Sequence, residues 1–194
     1  MASTQKTRLT IATLLSFVLS TFPLLSNDIS AAYAQDEESA IDNLIAGAIK
    51  GSATGLPLPR FVSLKAKRTN LRVGPSFDHR IEWIYVKPGL PVEVIQEFDV
   101  WRRIRDLDGQ EGWVHRSLLG AGRHAVVAPW QGDAFFAVHE EPDQQSRKRA
   151  ELEAGVLAEI RHCNGTWCRV RGERYDGYMK AENLWGVYPD EVIE

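Results

Sequence analysis

One pattern of aromatic, basic and aliphatic residues occurs twice in this 194-residue chain and limits the folds that the chain can adopt. The stretch 100–105 (VWRRIR) returns as 166–171 (TWCRVR), and 112–115 (GWVH) returns as 177–180 (GYMK). Both repeats recur after about 65 residues, and a fixed period of that length indicates duplication of a whole small domain. The chain is therefore expected to contain two similar domains in tandem.

Short alternating segments separated by turn residues fill the first copy. Leu71 and Val73 alternate before a turn at 74–75, and further turn pairs stand at 88–89 and 108–109. Strands of this length, with a turn about every ten residues, are typical of a small antiparallel barrel. Since 44% of all residues are apolar, the composition also permits a packed core.

The order of these motifs resembles that of a bacterial SH3 domain. This family opens with an Asn-Leu-Arg-x-Gly-Pro-Ser segment and continues with a strand that begins at tryptophan and a Gly-Trp-Val strand. The chain matches these elements at 70–76, 101–104 and 112–114. The resemblance implies an all-β fold with two tandem small SH3-like antiparallel barrels.

The two copies match the family to different extents. Residues 61–120 match throughout, whereas residues 124–188 match through their C-terminal half, because 135–142 replaces the opening motif. We therefore expect SH3-like domains at 61–120 and 124–188. The junction at 123–130 is too short for independent movement, so the barrels are expected to pack together.

The first 34 residues are expected to be a cleavable signal peptide. Lys6 and Arg8 supply its positive start, Leu9–Leu25 is mostly apolar, and Ala32–Ala34 has the small-x-small pattern of a signal-peptidase site. The alternative is an uncleaved anchor helix, which a proline and three polar residues late in the segment disfavour. We expect export to the periplasm or the medium, with no stable membrane span after cleavage.

Residues 35–60 are expected to form a flexible tether in front of the first barrel. Apolar residues between 41 and 49 recur at helical spacing, which predicts a short amphipathic helix. This helix would dock on a partner; the alternatives are a frayed tether or a helix that folds onto its own domain. The Gly-, Ser- and Pro-rich stretch 51–59 behind it is typical of a linker.

The two cysteines, Cys163 and Cys168, are expected to form a structural disulfide, because an exported protein meets oxidising conditions. A two-residue hairpin loop at 164–165 would place them diagonally, at a Cα separation of roughly 7–8 Å that is too long for a disulfide. A four-residue loop would place them directly opposite each other. A redox pair or metal ligands are the alternatives, and the spacing fits neither.

Catalysis receives little support from the sequence. The five histidines show no His-x-His or His-Glu-x-x-His spacing, and neither cysteine is expected to be a free nucleophile. We therefore expect a protein that is not an enzyme and that needs no cofactor or metal. A formal net charge of −3 lacks the basic excess that phosphate binding requires, so no nucleic-acid partner is expected.

Strand parity locates a candidate binding face. If Ile104 points into the barrel, then Trp101, Arg103 and Arg105 point outward, where they could stack on a sugar or peptide and meet its carboxylates. The alternative is that each tryptophan caps its own hairpin and the arginines only solubilise a strand. Trp113 is expected in the core. The candidate ligand-binding residues are Arg72, Phe77, Tyr85, Trp101, Arg103, Arg105, Trp167, Arg169 and Arg171.

The resemblance to bacterial SH3 domains implies recognition of cell-wall material, in particular peptidoglycan peptides. The chain is thus expected to be a non-catalytic periplasmic binding protein for peptidoglycan components. The alternative is a periplasmic adaptor whose barrels, together with the 41–49 segment, hold another envelope protein and scaffold a complex.

Overall fold

The computed structural model describes residues 49–194. The predicted signal peptide, residues 35–48 of the predicted tether and all of the predicted helix except Ile49 lie outside the described residues. Residues 49–194 form fifteen β-strands and two short 3-10 helices. The prediction of an all-β fold is confirmed.

Seven strands and one 3-10 helix build each barrel, and one further strand follows the second. The first barrel contains β1 (Arg60–Leu64), β2 (Thr69–Arg72), β3 (Ile81–Tyr85), β4 (Pro91–Phe98), β5 (Trp101–Arg105), β6 (Glu111–His115), a 3-10 helix (Arg116–Leu118) and β7 (Leu119–Gly120). The second contains β8 (His124–Val127), β9 (Phe135–His139), β10 (Lys148–Glu153), β11 (Leu157–Asn164), β12 (Trp167–Arg171), β13 (Asp176–Lys180), a 3-10 helix (Ala181–Asn183) and β14 (Leu184–Trp185). The last strand is β15 (Val192–Ile193).

The two barrels have the same strand order. In the first, the order is β3-β2-β6-β5-β4-β1-β7, and in the second it is β10-β9-β13-β12-β11-β8-β14, with β15 paired to β11 outside this path. Even the irregularities repeat, because the β4–β5 ladder shifts register between Val94 and Gln96 and the β11–β12 ladder between Ile160 and His162. The structure thus shows the duplication that the sequence period predicts.

Each barrel has its own apolar core. Leu71, Ile104 and Val114 are fully buried in the first barrel, and Val170 and Met179 occupy the corresponding strands of the second. These residues are the inward-facing members of alternating strands.

One glycine in each barrel allows two strands to approach closely. A Cβ at Gly112 would overlap the Leu71 side chain, and a Cβ at Gly177 would overlap the carbonyl oxygen of His139. The repeated glycine is therefore required by packing against the opening hairpin of each barrel.

The predicted disulfide is confirmed. Cys163 and Cys168 are bonded and face each other directly across the β11–β12 hairpin, which is the arrangement expected for a four-residue loop. Both residues are fully buried.

The barrels contact each other through an aromatic cluster and two polar links. The ring of Phe61 lies 5.3 Å from that of Trp185 and 4.7 Å from that of Tyr188, measured between centroids. The Tyr188 hydroxyl donates to Glu93 at 2.7 Å. His124 Nδ1 lies 3.0 Å from Ser63 Oγ.

Residues 51–54 form a strap that is bound to the first barrel, although the sequence predicts a flexible linker there. The Glu97 carboxylate accepts hydrogen bonds from the Ala53 and Thr54 amides at 3.0 and 2.9 Å and from the Thr54 hydroxyl at 2.8 Å. Arg60 Nη2 donates a further hydrogen bond to Glu97 Oε1 at 2.6 Å. The reason is that Glu97 is buried and its charge must be hydrogen-bonded, which composition alone does not reveal.

The helices of residues 49–194 are too short to cross a membrane, and none of them is an apolar span.

Candidate functional site

The outer face of the first barrel brings together most of its predicted ligand-binding residues. Ile104 is fully buried, so its neighbours in β5 face outward. In the register of β5 and β6, Trp101 is opposite His115, Arg103 is opposite Trp113, and Arg105 is opposite Glu111. The face therefore has an aromatic end and a charged end.

Trp101 is not the exposed stacking residue that strand parity alone predicts. It is only 5% exposed, because Phe77 and His115 cover it. The ring centroid of Phe77 lies 4.9 Å from that of Trp101 and 5.6 Å from that of His115. Phe77 itself is 66% exposed, so Phe77 presents the accessible aromatic surface. We call Phe77, Trp101 and His115 the aromatic platform.

Arg72 orders the loop that carries Phe77. Its Nη1 donates to the carbonyl oxygens of Phe77 at 2.9 Å and His79 at 2.6 Å. The guanidinium carbon lies 5.6 Å from the centre of the Phe77 ring. This arginine therefore holds the loop that carries Phe77 through two hydrogen bonds from one guanidinium nitrogen.

His115 belongs to the platform, although it is absent from the residues that the sequence singles out. Its Nδ1 accepts a hydrogen bond from the Ser117 amide at 3.2 Å and lies 2.7 Å from Ser117 Oγ. These contacts fix the ring beside Trp101. The signal was present in the sequence, since an inward Val114 places His115 outward on the next position.

The arginines at the charged end are paired with carboxylates. Arg103 Nη2 lies 2.9 Å from Glu111 Oε2. Arg105 Nη2 lies 2.8 Å from Glu111 Oε1, and Arg105 Nη1 lies 3.4 Å from Glu93 Oε2. The hydrogen bond to Glu111 raises the pKa of Arg105. These side chains remain nearly half exposed, so a ligand can reach them, but it would have to compete with the existing pairs.

Tyr85 and Trp113 occupy positions that differ from their predicted ones. Tyr85 is buried, and its hydroxyl donates to Asp106 at 2.7 Å. Burial and this hydrogen bond raise the pKa of Tyr85 well above its usual value. The prediction of a core position for Trp113 is wrong: its side chain is half-buried on the outer face, because Gly112 and Val114 are the inward residues of β6.

The second barrel reproduces this face only in part. The Trp167 ring lies 5.5 Å from that of His139, edge to face, and Trp167 is half-buried. Arg169 binds Asp176 through two contacts of 2.8 and 3.3 Å, which hold the pKa of Asp176 below its usual range. Arg171 is exposed. Among the described residues, no phenylalanine ring covers Trp167 as Phe77 covers Trp101. The second copy lacks the opening motif that precedes Phe77 in the first.

No set of three or more His, Cys, Asp or Glu side chains within residues 49–194 is arranged to hold a metal ion. The two cysteines are joined to each other, and this part of the chain holds no free thiol.

A family model for bacterial SH3 domains matches the chain twice, over residues 65–120 and 133–186. No curated protein matches the sequence.

Among solved structures, NlpC2 from Trichomonas vaginalis matches with 13% identity and a TM-score of 0.30, over 65% of this chain and 47% of that protein. NlpC1 from the same organism matches with 12% identity and a TM-score of 0.30, over 71% of this chain and 49% of that protein. The chain thus spans about half the length of these two proteins. Similarity at this level does not define the chemistry of this chain.

Proposed function

The chain belongs to the bacterial SH3 domain family, and from this we propose that it is an exported, non-catalytic protein that binds peptidoglycan components. Export is supported by the signal-peptide pattern of residues 1–34 and by the buried disulfide, since disulfides persist in oxidising compartments. Binding of peptidoglycan is supported by membership of this family and by the surface of the first barrel.

The observation that carries the proposal is the aromatic platform. Phe77 is 66% exposed, and its ring rests on Trp101 and His115. A large exposed ring held in a fixed orientation can stack on a sugar ring or a peptide plane at little cost in side-chain entropy. The exposed arginines along the same face can then meet ligand carboxylates.

A non-catalytic role is part of the same proposal. Both cysteines in residues 49–194 are joined in the disulfide, so the Cys-His pair of a cysteine peptidase is not available there. His115 Nδ1 is hydrogen-bonded to Ser117. Within the described residues, no carboxylate forms a hydrogen bond with this ring. The ring thus has a structural task that accounts for its position.

The proposal is tested by co-sedimentation of the processed chain, residues 35–194, with purified peptidoglycan sacculi. We expect saturable pelleting that decreases as salt is raised, because arginines contribute to the contact. Absence of pelleting at both low and high salt would overturn the proposal and favour an adaptor that binds an envelope protein.

A matched pair of variants assigns the binding to the platform. Phe77→Ala should weaken pelleting at least fivefold, since stacking on an aromatic ring contributes on the order of 1 kcal/mol. Phe135→Ala removes a phenylalanine of the same 66% exposure from the second barrel and should leave pelleting unchanged. Equal effects of the two variants would contradict the assignment to the platform.

A further inference from the structure

A cleft of about 460 Å³ lies where the two barrels meet. Trp83, Tyr85 and Leu107 of the first barrel form one wall, and Val126 and Trp185 of the second barrel complete it. Neither barrel builds this cleft by itself. It is also separate from the aromatic platform, since no platform residue lines it.

The walls of the cleft are aromatic and accessible. Trp83 is 54% exposed and Leu107 is 39% exposed. Trp185 is half-buried, and the Phe61 ring meets it at an interplanar angle of 76°. Exposed apolar surface gathered in a concave site is typical of a binding site rather than of scattered surface residues.

The polar part of the cleft is acidic. Among its eleven lining residues are Asp106, Asp108 and Gln110, and none of the eleven is basic. A ligand that enters therefore meets carboxylates and indole rings together. Indole faces and carboxylates both attract cations, so the cleft favours a ligand that is positively charged and partly apolar.

Asp106 and Asp108 differ in their hydrogen bonds. Asp106 is already used by the protein, because it accepts hydrogen bonds from the Tyr85 hydroxyl at 2.7 Å and from the Asp108 and Gln110 amides at 3.0 and 2.8 Å. Asp108 is exposed, and within residues 49–194 no hydrogen bond or ion pair involves its carboxylate. Asp106 thus fixes the turn, and Asp108 is the carboxylate that remains available for a ligand.

The corresponding hollow of the second barrel lacks these features. It has about the same volume, 440 Å³, and is lined by the β12–β13 turn and by parts of β10 and β11. Its lining includes Glu173 and Arg174 but no tryptophan. The aromatic and acidic character is therefore specific to the cleft between the barrels and does not follow from the barrel fold itself.

We propose that this cleft binds the side-chain ammonium group of a peptide, with its aliphatic stem between Trp83 and Trp185 and its charge at Asp108. The inference deepens the proposed function, on which it rests for the choice of a wall-type peptide as ligand. The aromatic platform, with its arginines, meets neutral or anionic parts of the wall, and the cleft adds recognition of a free amine.

The experiment follows the indole N–H signals of the processed chain by heteronuclear NMR. The chain has six tryptophans, and single Trp→Phe variants assign their signals. The probe is the tetrapeptide Ala-Glu-Lys-Ala, and the control probe is the same peptide with its lysine acetylated at Nζ. We expect saturable shifts of the Trp83 and Trp185 signals with the free amine and much smaller shifts with the acetylated peptide.

Matched variants test the two recognition elements. Asp108→Asn should weaken binding of the free-amine peptide about threefold to tenfold, while Glu173→Gln removes a carboxylate from the corresponding turn and should have no effect. Trp83→Ala should weaken binding of the free-amine peptide at least fivefold. Trp130→Ala removes a tryptophan of similar exposure, 56% against 54%, and should leave the affinity unchanged.

The outcomes separate this inference from the proposed function. Equal shifts with both peptides would show that the side-chain amine is not recognised. A shift of the Trp101 signal without shifts of the Trp83 and Trp185 signals would show that the peptide binds outside the cleft. Absence of any shift would also overturn the inference. In each case sedimentation with sacculi decides independently whether the protein binds peptidoglycan.

Discussion

Glu97 and Arg102 face each other across the β4–β5 hairpin at the positions where the second barrel has its disulfide. The residues are directly paired in register, and Arg102 Nε lies 3.3 Å from Glu97 Oε1. Cys163 and Cys168, each 66 positions later, are paired in the same way. One copy of the hairpin is thus closed by a buried ion pair and the other by a covalent bond.

Glu97→Ala should destabilise the first barrel by about 3 kcal/mol, because it leaves the buried Arg102 and the half-buried Arg60 without their carboxylate. The Glu97 side chain is fully buried against Arg60 and Arg102. The measurement is the free energy of unfolding in urea. The control is Glu140→Gln, which breaks an exposed pair with Arg149 and should produce no measurable change. Equal effects of the two substitutions would contradict a structural role for the buried pair.

The same carboxylate predicts a loss of stability in acid. Burial would raise its pKa, but hydrogen bonds from Arg60, Thr54 and Ala53 prevail and hold the pKa of Glu97 at about 2, below the usual 4.5. A carboxylate whose pKa is lowered by folding stabilises the fold above pH 4.5, and this contribution disappears as the pH falls toward 2. The contribution is on the order of 3 kcal/mol.

Unfolding curves of the wild type and Glu97→Ala at a series of pH values check this expectation. The difference between them should be largest near neutral pH and should shrink below pH 4.5. A difference that stays constant between neutral pH and pH 2 would show that the charge of Glu97 contributes nothing.

The strap at 51–54 supplies the next prediction. A Cβ at Gly51 would overlap the Glu97 carboxylate, so Gly51→Ala should displace the strap and cost about 1–3 kcal/mol. Amide hydrogen exchange at Ala53 and Thr54, which donate to Glu97, should accelerate. Gly122→Ala is the control, since its Cβ would meet only His124, at 3.9 Å. Unchanged exchange in Gly51→Ala would mean that the strap does not depend on this close approach.

The strand arrangement could be predicted from the sequence further than the site could. The repeat of about 65 residues and the motif order indicated the fold class. The expected disulfide required Cys163 to face Cys168 across a four-residue loop, and the structure shows this pairing. Strand parity, starting from an inward Ile104, placed Arg103 and Arg105 outward correctly. It could not show that Phe77, from a loop, covers Trp101, since loop conformation depends on contacts such as those of Arg72.

Pairing between strands and packing between barrels account for the remaining differences. The ion pairs of Arg103 and Arg105 with Glu111 follow from strand pairing that composition does not show. The cleft between Trp83 and Trp185 depends on how two barrels pack, and no local pattern contains that information. Strand parity does indicate the buried ion pair, because Arg102 shares the inward face with Ile104 and a buried arginine needs a partner of opposite charge.

Reduction of the disulfide should lower the stability of the second barrel by about 2 kcal/mol, because the bond closes a short loop of the unfolded chain. Both cysteines are fully buried, so reduction of the folded protein should be much slower than reduction in denaturant. Thiol titration over time, with and without denaturant, measures this difference. Equal rates would indicate that the hairpin opens without unfolding of the barrel.

Alkaline pH should weaken the fold through two tyrosines, one in the first core and one between the barrels. Burial, together with hydrogen bonds to Asp106 and Glu93 respectively, raises the pKa of Tyr85 and of Tyr188 well above 10.0. Because unfolding lets both phenols ionise near pH 10, the free energy of unfolding should fall as the pH rises above that value. Ultraviolet absorbance of tyrosinate should show both groups ionising only as the protein unfolds. The double variant Tyr85→Phe/Tyr188→Phe should lose most of this dependence, with a remainder from Tyr175, whose pKa burial also raises. An unchanged alkaline transition in that variant would place its cause elsewhere.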